Sequence, residues 1–364
     1  MPAGTIGSVE NPAERLARRT LELVDIPSVS REEAEIVAHA ATLVPAPFEL
    51  LHERRDCLYF ATPRRDRRPL VVLAGHLDTV PEQDNLPGRL EDGVVHGLGA
   101  SDMKGGAAVM IELARWIAED SPELAVDLGL VLFGKEELSM EESPLPAMFA
   151  AVDDAARADL AVVLEPTDGL LHVGCLGHLR ALVVYDGVAG HSARPWLADN
   201  AIGTAIEGLQ PLVELVPRRV EIGGVEFVEV VSPTQIHGGV ATNVIPDRVE
   251  VTLSFRYTPD RSPEEAEQFL RGLVGERGHV ERVANSPSGR VVVDTPLVRR
   301  LREAGDLEVA PKQAWTPVAE FSLRGVDAVN FGPGATRYAH KRDEQIEVTA
   351  LVSAFETLRR FVTA

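Results

Sequence analysis

The sequence predicts an α/β protein of two domains, the second inserted into the first as a ferredoxin-like βαββαβ unit. Three observations lead there. The chain has 364 residues, more than one ordinary core holds. Three short apolar runs, Leu70 to Ala74, Val126 to Phe133 and Leu160 to Leu164, each lead into acidic residues or a histidine, the texture of buried strands in an open sheet. From Leu179 to Ala284 the order becomes strand, helix, strand, strand, helix, strand. The expected boundaries are 1–177 and 287–364 for the two segments of the first domain, and 178–286 for the insert.

Composition narrows the function classes. A net charge of -20 argues against a nucleic-acid partner, which needs a basic stripe. Lysine is confined to Lys104, Lys135, Lys312 and Lys341, so an anionic substrate needs a local group of arginines. Two cysteines, Cys57 and Cys175, cannot build a disulfide framework and suit a reducing cytosol. The first twenty residues lack a basic segment followed by an apolar one, and no apolar run reaches membrane-spanning length. The expectation is a soluble cytoplasmic protein with no membrane contact.

The elements follow in order. Asn11 and Pro12 are cap and first-turn signals for a helix reaching Val24. Ser30, with Glu33 three residues on, has the spacing of a capping box and predicts a second helix starting there. Phe48 to Leu51 and Cys57 to Ala61 read as a hairpin, and Arg64 to Arg68 as a basic loop. Leu70 to Ala74 is a buried central strand that stops at Gly75. A helix from Gly106 to Asp120 follows, then the strands Val126 to Phe133 and Leu160 to Leu164. The insert contains strands at Leu179 to Tyr185, Val225 to Ile236, Arg248 to Tyr257 and Val280 to Ala284, with helices at Ala198 to Val216 and Pro263 to Val274. Thr295 to Ala304 is a helix, Val326 to Phe331 a strand, and Val348 to Val362 the closing helix.

In open α/β sheets, ligands bind outside the carboxyl ends of the strands. His76, Asp78, Glu136, Glu137 and Glu165 all fall just past such ends, and Asp102 lies in a glycine-rich turn before a helix. Asp78, two residues after His76, can accept a hydrogen bond from the ring nitrogen that His76 does not use for chemistry. These residues, with the late His340, form a nitrogen and oxygen donor set without thiolate, suited to Zn, Co or Mn. One His, one Asp, two Glu and the late His340 make five ligands, too many for one four-coordinate ion but suited to two ions bridged by a carboxylate. Glu136 and Glu137 are neighbours. One can ligate while the other moves a proton.

The motifs GHLDTV, GASDMKGG, KEE, LEPTDG, GVAGHSARP, NVIPD and AHKRDE occur in that order between Gly75 and Glu344. With them the chain, from Leu23 onward, resembles the co-catalytic metallo-amidohydrolases that include acetylornithine deacetylases, succinyl-diaminopimelate desuccinylases, aminoacylases and glutamate carboxypeptidases. The resemblance implies a zinc-peptidase-like catalytic domain with a mixed sheet and an inserted lid and dimerisation domain. It implies two divalent ions, zinc or cobalt, with His76 and Glu165 on one, Glu137 and His340 on the other, and Asp102 bridging them. It assigns Asp78 to orient His76 and Glu136 as general base, and it implies a cis peptide after Asp102. The runs GVAGHSARPWLADNAI and NVIPDRVEVTLSFRY are most similar to the desuccinylase branch, enzymes of lysine and cell-wall precursor synthesis. That likeness implies an N-acyl amino acid substrate and a homodimer in which His191 reaches the neighbouring subunit's site to polarise the scissile carbonyl. Asn243 and Arg256 then hold a substrate carboxylate, Arg256 through a bidentate fork.

One motif departs from that branch. Its consecutive arginines at the entry to the lid are replaced here by Gly174-Cys175-Leu176-Gly177. Arg180, Arg194, Arg337 and Arg342 are the candidates to take their place. A deacetylase or carboxypeptidase of the same chemistry, and a non-catalytic binding protein on the same scaffold, stay open as alternatives.

Overall fold

The computed structural model describes residues 11–65 and 68–363. Asp66 and Arg67 of the expected basic loop, and the first ten residues of the N-terminal reading, lie outside the described residues. The chain divides into two compact units. The first comprises the described residues of Met1–Val173, Val292–Ala310 and Glu320–Ala364, and the second Gly174–Val291 with Pro311–Ala319. The insert therefore starts at Gly174 rather than 178 and runs on to Val291, and it takes back a short later segment.

The first unit is built on an eight-stranded sheet. Its order is Glu49–Arg54, Cys57–Ala61, Asp127–Phe133, Leu70–His76, Leu160–Val163, Ala328–Asn330, Leu171–Val173, Val309–Pro311. The Leu70–His76 strand runs parallel to both of its neighbours, and Ala328–Asn330 runs parallel to Leu160–Val163. All seven residues of Leu70–His76 are buried, as an apolar strand with parallel partners on both sides requires. The strand does not stop at Gly75. It pairs on to His76, opposite Phe133, so His76 is the last residue held by the sheet. A Cβ at Gly75 would come within 2.9 Å of Met103 Cε and 3.0 Å of Met110 Sδ, so the bare backbone lets the following helix pack close. That helix, Gly105–Asp120, is buried over most of its length.

Two local expectations need correction. Ser30 and Glu33 do not form a capping box. The second helix is Ala34–Ala41, and Glu33 flanks it without a side-chain cap. Ser30 Oγ instead donates to Asp78 Oδ2 at 2.7 Å, and Glu33 Oε1 accepts the backbone N–H groups of Arg31 and Lys135 at 2.6 and 3.2 Å. The same three-residue spacing does form a box at Ser262 and Glu265, at the start of the helix Pro263–Val274. A small sheet of Arg89–Glu91, Val94–His96 and Gln345–Glu347, not anticipated from the sequence, joins the C-terminal segment to the turn before Asp102.

The second unit carries a five-stranded antiparallel sheet, ordered Arg218–Ile222, Val225–Gly238, Arg248–Tyr257, Gly177–Asp186, His279–Ser286. Its last four strands have the ferredoxin-like order, and Arg218–Ile222 adds an edge. One face packs on two helices through alternate residues: Leu179, Ala181, Val183 and Tyr185 meet Ala201, Ala205 and Leu212 in one core with Leu253, Phe255 and Leu270. The first of these helices is Ala201–Val213, shorter than expected at both ends. The Asn200 side chain caps it by accepting the Ile202 N–H, and a short turn at Pro195–Leu197 precedes it.

Candidate metal centre

The strands that end at His76, Phe133, Val163 and Asn330 are parallel neighbours, so the segments leaving them emerge on one edge. His76 is fully buried there. Its Nε2 lies 3.2 Å from Asp102 Oδ1 and 3.7 Å from Glu165 Oε1. On the far side of Asp102, Oδ2 lies 3.6 Å from His340 Nε2, which is 2.9 Å from Glu137 Oε2. Asp102 thus turns one oxygen to each imidazole. Donor atoms of His76, Asp102 and Glu137 fall within 4.8 Å of one another, and so do those of His76, Glu136 and Glu165. The peptide Asp102–Met103 is cis. Gly106 and Gly332 both face Leu164, where an added Cβ would collide with its carbonyl, so the loops around Glu165 pack without side chains between them.

Asp78 does more than orient one ring. His76 Nδ1 is 3.0 Å from the Asp78 carbonyl and 3.4 Å from its Oδ1. Both partners are acceptors, so Nδ1 carries a proton and Nε2 faces the cluster. The Asp78 carboxylate also accepts the backbone N–H groups of Glu136 at 3.1 Å and Glu137 at 3.3 Å. One buried acid therefore fixes both the histidine and the turn bearing the paired glutamates. Lys135 enters that turn at a φ of +63°, and Glu33 accepts its N–H. Ser30 and Glu33 are support residues that the sequence reading assigned to a helix cap.

Electrostatics set the demand on this edge. Burial, then the charges of Glu165, Glu137 and Asp102, push the Glu136 carboxyl well above the usual carboxylate range. Burial also raises Glu137, against the opposing hydrogen bond from His340. That hydrogen bond lifts His340 to about 9. On His76, burial opposes the charged form, but the contacts with Asp102 and Asp78 outweigh it and hold the ring well above its ordinary value. Carboxylates outnumber imidazoles, every donor is nitrogen or oxygen, and divalent cations would offset the repulsion. The residues fit a metal pair.

The remaining expected residues belong to the second unit. His191 is exposed, and its Nδ1 accepts the Ala193 N–H at 3.0 Å. The Asn243 carbonyl accepts the Ser192 N–H at 3.0 Å, tying it to the His191 loop. Arg256 pairs across the ladder with His178, on the sheet face opposite the core. Arg180 lies two residues along on the same face. Burial, then Arg256 and Arg180, drive the His178 ring down to about 4. Of the other candidate arginines, Arg342 is paired with Asp84 and Arg337 stacks on Tyr338.

Residues 72–364 match the family described as Peptidase family M20/M25/M40. The chain is 38% identical over 347 residues to a putative succinyl-diaminopimelate desuccinylase of Mycobacterium tuberculosis, covering 94% of this chain and 96% of that one. It is 35% identical over 353 residues to the succinyl-diaminopimelate desuccinylase of Corynebacterium glutamicum, covering 94% and 95%. Among solved structures, it is similar to aminopeptidase PepT of Bacillus cereus (TM-score 0.78, 18% identity, 96% and 98% covered). It is also similar to a dinuclear metal-binding peptidase of Bacillus subtilis (TM-score 0.69, 16% identity, 96% and 97% covered). Sequence match, fold and donor set agree: the chain belongs to the M20/M25/M40 peptidase family and is a metal-dependent hydrolase of amide bonds.

Proposed function

We propose that the protein hydrolyses N-succinyl-LL-2,6-diaminopimelate to succinate and LL-2,6-diaminopimelate with two divalent ions, zinc or cobalt. The observation that carries this reading is the 38% identity over 94% of the chain to a relative named for that reaction. In this reading His76 and Glu165 hold one ion, Glu137 and His340 the other, and Asp102 reaches both. The ions supply Lewis acidity toward the amide and the attacking water. Glu136 takes a proton from that water as its oxygen bonds to the carbonyl carbon. It then gives the proton to the amine nitrogen as the C–N bond breaks. Asp78 holds the Glu136 backbone and the His76 ring in register for these transfers.

His191 supplies a hydrogen bond to the carbonyl oxygen as negative charge grows there. Its Nδ1 already accepts the Ala193 N–H, so the neutral ring carries its proton on Nε2, the tautomer a donor needs. Asn243 and Arg256 hold a substrate carboxylate. Arg180, on the same sheet face as Arg256, takes the place of the arginines absent at Gly174–Gly177. A homodimer through the second unit brings His191 to the neighbouring subunit's site. Support for self-association comes from the helix Ala201–Val213, whose Ile206 and Val213 are 66% and 69% exposed, and from Trp196, 75% exposed in the turn that precedes it. The place of action is the cytoplasm.

A substrate panel on protein of defined zinc content tests the reading. The succinylated compound is expected to turn over faster than N-acetylornithine or dipeptides. The reverse order would transfer the protein to the deacetylases or carboxypeptidases, and a metal-loaded sample that cleaves none would make it a binding protein. Sedimentation of the active enzyme as a monomer would remove the assignment of His191.

A further inference from the structure

Glu344 follows His340 by one helical turn's length of chain and has no part in the chemistry above. Its side chain is 2% exposed. Oε2 accepts the Gly99 N–H at 2.9 Å, and Oε1 accepts those of Ser101 at 3.0 Å and Asp102 at 2.9 Å. Its backbone carbonyl accepts the Gly97 N–H at 3.0 Å. A single residue thus satisfies four backbone donors in the stretch that leads into Asp102. A buried carboxylate is costly unless its oxygens are hydrogen-bonded, and here every bond goes to one turn.

The two segments are joined nearby as well. Ser101 Oγ donates to the Ala335 carbonyl at 3.1 Å and accepts the Ala335 N–H at 2.8 Å. The residues just after Glu344 pair with Val94–His96. His340 itself is carried by no strand: its side chain is 53% exposed, its φ is +60°, and its carbonyl accepts from Gln83 Nε2 at 3.2 Å. The separation of His340 from Asp102 is therefore set by the link between their loops, and Glu344 is the buried centre of that link.

We infer that Glu344 is a positioning residue that clamps the Asp102 turn to the His340 loop and so sets the geometry of the ion shared by Asp102, Glu137 and His340. The inference rests on the two-ion reading above. Its consequence is selective. The ion on His76 and Glu165 would share Asp102 as well but leans on two strand ends, so it should depend on Glu344 less than the other, whose His340 has no strand to hold it.

The test titrates metal-free protein with Co²⁺, following its visible absorption and competition with a chromophoric chelator. Wild-type protein is expected to bind two equivalents. In Glu344→Gln the amide keeps the size but turns an NH₂ toward backbone donors. One equivalent should weaken only slightly and the second about 10- to 100-fold, the usual scale for a group that supports a ligand. At limiting Co²⁺, kcat should fall with occupancy of the second site while KM holds. Glu344→Asp keeps the charge but is one methylene short, and should show a smaller loss of the same kind. It carries the test if the amide variant does not fold, as judged by circular dichroism of the metal-free protein. Two native equivalents in the variants, or equal weakening of both, overturns the inference alone. Collapse of both metal-free variants assigns Glu344 to the fold and also overturns it. Fewer than two equivalents in wild type removes the two-ion reading and the inference together.

Discussion

In the first unit, Glu136, Glu137, Glu165 and Asp102 crowd the edge where parallel strands of the sheet end, close enough that burial and the neighbouring charges raise the carboxyls of Glu136 and Glu137. In the second, the open face of an antiparallel sheet carries Arg180, Arg256 and His178, and there the shift runs the other way, with the imidazole driven to about 4. The acidic edge is completed by cations; the basic face is suited to anions. A molecule whose net charge is -20 therefore still gathers arginines on one sheet face. The contrast teaches that overall charge says little about a site. What matters is which sheet face stays open and which strand ends share an edge.

If the first unit does the chemistry and the second the recognition, substitutions in them should separate kcat from KM. The largest effect is expected from Glu136→Ala: a loss of about 10²- to 10⁴-fold in kcat, with metal content by elemental analysis unchanged. Near-normal turnover in a fully loaded sample would break the comparison at its stronger end. His76→Ala, by contrast, should lower metal occupancy itself. In the second unit, Arg180→Ala is expected to raise KM for the succinylated substrate about 10-fold or more. That corresponds to about 1.5–3 kcal/mol for a hydrogen bond to a charged group, with kcat nearly kept. An equal loss on an acetylated substrate, which lacks the second carboxylate, would show that Arg180 serves the fold rather than the anion.

The smallest effect sharpens the same contrast within the first unit, away from the cluster. Glu320 is 1% exposed, and burial pushes its carboxyl up to about 7 despite the Ser143 hydrogen bond and the charge of Arg324. The folded chain then keeps a proton that the unfolded chain releases in the ordinary carboxylate range. Its stabilising contribution is complete below that range and is lost as pH rises through about 7. The loss is at most about 3 kcal/mol, a few degrees in Tm. Glu320→Gln should flatten the fall in Tm between about pH 5 and pH 8. An identical pH profile in the variant would show that the proton is not held there.

Much of this architecture was legible beforehand. The strand Arg248–Tyr257 and the helix Pro263–Val274 run between the bounds expected for them, because an element with a single buried face leaves a periodic pattern in its residues. The cluster was legible for a related reason. A residue just past a buried parallel strand has only one edge to emerge on, so His76, Glu136, Glu137 and Glu165 could be grouped before any contact was seen. Edge strands such as Gln345–Glu347 were not visible, since three residues carry too little periodicity.

Ser30 and Glu33 mark the boundary between the two kinds of knowledge. Ser262-x-x-Glu265 and Ser30-x-x-Glu33 are the same word in the sequence, and only the first caps a helix. A cap contributes about 1 kcal/mol, less than the cost of leaving a buried carboxylate such as Asp78 without donors. By itself the sequence brought His76, Asp78, Glu136, Glu137 and Glu165 to one edge, because strand period and connection order leave them no other, while Asp102 and His340 were placed with them by the family resemblance. Asp78 was expected to orient His76, but only the tertiary structure decided that Asp78, Glu33 and Glu344 also bond to backbone N–H groups of distant loops, because such a bond depends on proximity that no local pattern encodes.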